Sequence, residues 1–220
     1  MRSLFSVLLL IAAAWAVAGC SPTTSALTPP PLHFDGPASD LAFQLKDLPG
    51  GYLVAMDRSL TAEQASYVLS IGDAEITTDL EREGFAGGHY RWYATPITSR
   101  MGSTSVFSVT ILLRDSAAAK ELVAALTRGL REHGADEMSV GGHMGDEARG
   151  FQKTYTVADL GGEPGDVTVN NLIFRYGNAV SVLTVHGAAH TVDPAFASKL
   201  GWEQLRYQRT AATPKEEAFR

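Results

Sequence analysis

Residues 104–114, TSVFSVTILLR, place Phe107, Val109, Ile111 and Leu113 at alternate positions, with Val106, Ser108 and Thr110 between them. A period of two predicts a strand with two faces, here a central strand of its sheet. The period then changes. In DSAAAKELVAALTRGLREHG, Leu122, Leu126 and Leu130 recur every fourth residue with Ala119 and Val123 beside them, while Lys120, Glu121, Arg128 and Arg131 take other faces. That is the stripe of an amphipathic helix. Asp115 or Ser116 caps its start, basic residues and His133 gather at the negative end of its dipole, and Gly134 stops it.

Similar punctuation runs through the rest of the chain. GGYLVAMD (50–57) and GGHYRWYAT (87–95) open on paired glycines and carry aromatic and β-branched residues, as strands do. Between them, TAEQASYVLSIGDAEITTDLEREGF has the composition of one or two helices, with Thr61 and Asp73 as N-caps. ARGFQKTYTV (148–157) reads as a strand. VTVNNLIFRY and AVSVLTVH flank Gly177-Asn178, a two-residue hairpin turn in which glycine supplies the positive φ. TVDPAFASKLGWEQLRY then opens a helix on Asp193-Pro194, with Phe196, Ala197, Leu200 and Leu205 able to share a face. The expected fold is α+β: a mostly antiparallel sheet with helices packed on one face, built from two strand-strand-helix repeats.

Composition narrows the function classes. With 220 residues, 45% hydrophobic and 19% charged, the chain fits one domain of ordinary size with a leader and tails. Its net charge is −6, or −7 once Arg2 is removed with the leader (−6 minus +1). Without a basic stripe a nucleic-acid surface is excluded. The single cysteine, Cys20, cannot form an internal disulfide and needs another use.

Residues 1–19, MRSLFSVLLLIAAAWAVAG, supply the context: one positive charge at Arg2, an apolar run from Leu4 to Ala18, then small residues before Cys20. This is the layout of a signal peptide, and the run is shorter than the roughly 20 residues a spanning helix needs. Residues 20–40 follow as a Ser/Thr/Pro-rich linker with three consecutive prolines at 29–31, residues 41–208 as the domain, and residues 209–220 as a loose tail.

Val17, Ala18, Gly19 and Cys20 resemble the lipobox of bacterial lipoproteins. The resemblance implies cleavage between Gly19 and Cys20, diacylglycerol on the Cys20 sulfur, and fatty chains such as palmitate holding the domain on the extracytoplasmic side of a membrane. Each buried methylene contributes about 0.8 kcal/mol, so two or three chains anchor firmly. Ser21 resembles the residue found there in lipoproteins passed to an outer membrane, so the expected location is the cell membrane or the outer membrane. The globular part, with LPGGY, GDEARGF and the Gly-Asn hairpin, loosely resembles uncharacterised bacterial lipoproteins and, more distantly, the Mog1/PsbP-like α/β sandwich. That resemblance spans residues 41–208 and implies a binding or accessory role.

Catalytic signatures are sparse. No Gly-x-Ser-x-Gly elbow and no phosphate-cradling loop occurs, and no cofactor is expected. In HMGDEARG, Asp146, Glu147 and Arg149 read as a solvated turn in which Arg149 can pair with either acid. His186 and His190 in HGAAH have the spacing of a helical metal pair, with Asp193 or His143 as further ligands, but Gly187 and the preceding strand pattern argue against a helix there. HYRWY is expected to bury Tyr90 and Trp92 and to leave Arg91 and Tyr93 outside, where they would extend a binding surface with Asp146, Glu147 and Arg149. The sequence therefore favours a non-catalytic envelope lipoprotein that binds a protein or small ligand. The alternatives are an envelope hydrolase or metal-dependent enzyme using His143, Asp146, His186 and His190, and a purely structural envelope component.

Overall fold

The structure, a computed structural model, describes residues 32–70, 80–96, 104–158, 164–189 and 191–212. Seven strands form one sheet: β1 (Leu53–Leu60), β2 (Phe85–Ala94), β3 (Ser105–Leu113), β4 (Asp136–Met138), β5 (Glu147–Ala158), β6 (Pro164–Tyr176) and β7 (Ala179–Ala188). Their order is β1-β2-β3-β7-β6-β5-β4, and every pairing is antiparallel. The α-helices among the described residues are α1 (Ala62–Leu69), α2 (Ser116–Glu132) and α3 (Pro194–Ala212), with two 3-10 turns at Ala38–Leu41 and Leu45–Asp47.

Local chemistry explains these boundaries. The Thr61 side chain accepts from the Gln64 amide while Gln64 returns a bond to the Thr61 amide, closing a capping box at the start of α1. Asp115 accepts from the Ala118 amide and caps α2. Asp193 accepts from the Ala195 amide at the start of α3. Gly177, at φ 61°, turns β6 into β7. Asp73 lies outside the described residues.

The sheet has a core on each side. On one, Leu122, Leu126 and Leu130 of α2 and Ala65 and Leu69 of α1 pack on Val109, Ile111, Phe151, Ile173, Val180 and Val182. On the other, Ala197, Leu200 and Leu205 of α3, with Phe43 and Leu48, pack on Tyr93, Val106, Leu172, Phe174, Leu183 and Val185. The α+β class and the antiparallel sheet are as the sequence predicts, but α3 packs on the face opposite α1 and α2, not on the same one. The order strand-strand-helix does recur, as β2-β3-α2 and β6-β7-α3. The physical reason for the split is visible in β3 and β7, whose neighbouring residues are apolar or fully buried on both faces; two exposed apolar faces need two covers.

Under α3 the second face also carries a buried polar seam. Gln204 accepts from Ser108 at 2.9 Å and donates to Thr110 and Ser181 at 2.9 and 2.7 Å, while Gln208 donates to Ser181 at 2.8 Å. These bonds fix the register of α3 on the sheet, since sliding the helix would orphan several buried hydroxyls together.

The described residues of both cores fall within residues 32–212. The core takes in Phe34 and Ala38, ahead of residue 41, and α3 runs past residue 208 to Ala212. The chain enters at the β6–β7 turn. There the Phe34 amide donates to Asn178 Oδ1 at 2.7 Å, and Asn178 Nδ2 donates to the carbonyls of Phe34 and Leu113 at 3.2 and 2.7 Å.

Candidate ligand-binding cavity

Strands β5 and β6 run 12 and 13 residues and continue past the C-terminal end of α2, so that among the described residues no helix covers the sheet face beyond Leu130. A cavity of about 620 Å³ occupies that space, within the roughly 300–1,000 Å³ typical of small-molecule sites. Its floor is made by Phe107, Val169, Asn171, Thr184 and His186, and its sides by Leu130, His133, Ala135, Lys153 and Tyr155.

Strand register places these side chains. Lys153, Val169, His186 and Ser105 form one cross-strand row, and Phe151, Asn171, Thr184 and Phe107 form the next. With neighbouring strands about 4.8 Å apart, Lys153 and His186 stand roughly 10 Å apart on either side of Val169. Phe107 is held by stacking on Trp92 and Tyr90, with ring centroids 5.6 and 6.3 Å away, and leans on His186 at 6.1 Å. Thr184 donates to Asn171 at 2.7 Å. Lys153 donates to the His133 carbonyl at 2.8 Å, which holds its ammonium beside the C-terminal end of α2. Tyr155 is 41% exposed and Val157, next on the same face, 38%. The site therefore combines apolar surface from Phe107, Leu130, Val169 and Tyr155 with a few convergent polar groups.

His186 Nδ1 is buried and has no hydrogen-bond partner among the described residues. Burial holds this imidazole below its ordinary pKa. His89 is depressed too, by burial and then by the Arg91 charge, against the opposing pull of Asp57, whose Oδ1 lies 2.7 Å from His89 Nε2. A depressed histidine pKa means that the unfolded chain takes up protons first on acidification. Stability is then intact above the ordinary histidine pKa of about 6.5 and falls as pH drops below it toward the folded values. The urea midpoint is expected to fall between about pH 7.5 and 5.5, and by less in His186→Gln. Equal losses in both proteins would show that His186 is not a source of the effect.

The sequence-predicted residues do not converge. Tyr93 is 1% exposed, stacks on Phe43 at 5.3 Å and donates to the Phe43 carbonyl at 3.0 Å; burial pushes its phenol up to about 12. Arg91 donates to Asp57 at 3.0 Å and to the carbonyls of Ala42 and Phe43 at 3.2 and 3.0 Å. The expectation that Arg91 and Tyr93 lie outside is corrected: residues 38–48 cover that face of β2, so its alternation is buried on both sides. Asp146 is bonded to Arg175 at 2.9 Å and to the Gly177 amide at 2.8 Å, while Glu147 meets Arg149 at 3.5 Å. By register Arg149 shares a cross-strand row with Tyr90, so Arg91 lies one residue along from that row but four strand spacings away, roughly 19 Å across the sheet.

His143 is exposed on the segment before β5. His186 lies six residues along β7 from Val180, the partner of Arg175, roughly 20 Å from the Asp146 pair. His190, Gly19 and Cys20 lie outside the described residues. Among the described residues no group of His, Cys, Asp and Glu is arranged to hold a metal ion, and no helix is long and apolar enough to cross a membrane.

Lys153, Tyr155, Val169, Asn171 and Thr184 were not singled out by the sequence, and Phe107 only as a position on a strand face. Their signal is a change of character along one face of three strands: Val180 and Val182 give way to Thr184 and His186, Ile173 to Asn171, and Phe151 to Lys153. Reading it requires the register.

No family model matches this chain, and no curated protein matches it. Among solved structures, the extracellular domain of PknH from Mycobacterium tuberculosis is similar at a TM-score of 0.47 and 6% identity, over 78% of this chain and 95% of that one.

Proposed function

We propose that this chain is a lipid-anchored extracytoplasmic binding module whose ligand occupies the cavity beyond the end of α2. The observation that carries the binding role is the cavity itself, of ordinary ligand-site volume and lined by apolar side chains with convergent polar groups. The anchor rests on the sequence of residues 1–20, where a signal-peptide layout ends on the lone cysteine.

The chain enters the domain beside Asn178, and His186 stands eight residues further along β7, roughly 27 Å away. The cavity is therefore at the end of the sheet remote from Phe34.

Two measurements test this. Titrating residues 21–220 with the neutral fluorophore N-phenyl-1-naphthylamine is expected to give saturable binding that Thr184→Trp, which fills the floor, abolishes; no saturable binding would overturn the binding role. Cys20→Ala in the host is expected to move the protein from the membrane fraction to the soluble fraction or to leave it unprocessed. Unchanged partitioning with normal processing would contradict the anchor.

A further inference from the structure

We infer that the cavity selects an amphipathic anion: a molecule with an extended apolar body and one anionic head, carboxylate or phosphate. This rests on the binding role proposed above and names the chemistry of the same site.

The charge inventory points to the head. Among the described residues no aspartate or glutamate lines the cavity, whereas Lys153 stands at its side. Glu137 is on the same face one strand over, paired with Phe151, but it is engaged by Arg131 of α2. Lys153 spends one N–H on the His133 carbonyl and keeps two donors for a ligand. That bond also offsets the negative end of the α2 dipole, which would otherwise repel an anion. The His133 ring, with Nδ1 2.8 Å from the Gly129 carbonyl, is oriented so that Nε2 is left for the site.

Apolar groups point to the body. Phe107, Val169 and Leu130 make a floor and wall with no charge on them, and Tyr155 and Val157 extend the apolar strip along β5 toward solvent. Between head and body, the Thr184 hydroxyl donates to Asn171 Oδ1, so that proton is already used within the site. A cation at one side and an apolar strip leading away from it fit a chain-like body better than a compact polar one.

The experiment uses residues 21–220 and three ligands of equal length below their micelle concentrations: dodecanoate, dodecyl phosphate and dodecanol. Each displaces the neutral fluorophore. The expected result is that at least one anion binds about tenfold more tightly than the alcohol; which of the two leads identifies a carboxylate or a phosphate source. Lys153→Met is expected to erase that preference, Lys153→Arg to retain it, and added salt to shrink it. If all three ligands displace the fluorophore equally, the anionic selectivity is wrong although the binding role stands. If none displaces it and the fluorophore itself fails to bind, both fall. A preference that persists in Lys153→Met places the recognition elsewhere and overturns the inference.

Discussion

Phe151→Ala will lower the stability of the domain by about 4 kcal/mol, among the largest effects of any single truncation in the chain. Phe151 is fully buried in the core beneath α2, opposite Asn171 on β6 and Glu137 on β4. Deleting its ring removes the transfer free energy of a large apolar side chain and leaves a void that the rigid strands on either side cannot close. Because Phe151 belongs to the row that also carries Asn171, Thr184 and Phe107, the void would lie against the ligand cavity. Chemical denaturation of residues 21–220 checks the value. A loss below about 1 kcal/mol would mean that β5 can collapse onto α2, and that the packing described for this face is wrong.

Asn178→Ala is expected to cost about 3 kcal/mol through a different mechanism. Asn178 is fully buried, and its side-chain amide is the partner of the Phe34 amide, the Phe34 carbonyl and the Leu113 carbonyl. Truncation strands three backbone groups that water reaches poorly, and an unsatisfied buried polar group costs about 1–3 kcal/mol. Asn178→Asp retains the acceptor for the Phe34 amide but turns two donor bonds into carboxylate–carbonyl contacts, so it should be no better tolerated. The variant should also release residues 32–41 before the rest of the domain, which faster amide exchange at Phe34 and Leu41 would report. Uniform protection of that segment would contradict the pinning role.

The elements read most directly from the sequence were those whose signal is local. Residues 104–114 became β3 with the predicted faces, the leucine stripe became α2 with Asp115 as its cap, and Gly177-Asn178 became the β6–β7 turn. Each depends on periodicity or on one cap, and no distant contact has to be known. Tyr93 failed for the opposite reason. Its burial is decided by Phe43, 50 residues earlier, and a strand read alone cannot say that its second face will be covered. The placement of α3 failed similarly. Its inward face carries Gln204 and Gln208 as well as leucines, and those glutamines find their partners only on β3 and β7.

The cavity was written in the chain but scattered. Lys153, Asn171, Thr184 and His186 each interrupt an apolar strand face, and in isolation such an interruption reads as an ordinary exposed position. It acquires meaning only when the register aligns the interruptions across β5, β6 and β7, and when the length of α2, 17 residues or about 25 Å, leaves them uncovered. His186 illustrates the shift: its spacing to His190 suggests a metal pair, while its position on β7 sets it in the floor of the cavity, which only the register shows.

Amide chemical-shift mapping of residues 21–220 during titration with dodecanol, a ligand without charge, tests the central claim that this uncovered face is where the protein binds. The account predicts saturable shifts at Phe107, Val169, Thr184 and His186, with the surface around Trp202 on α3, itself 37% exposed, left unmoved. Shifts centred on Trp202, or spread evenly without saturation, would contradict it.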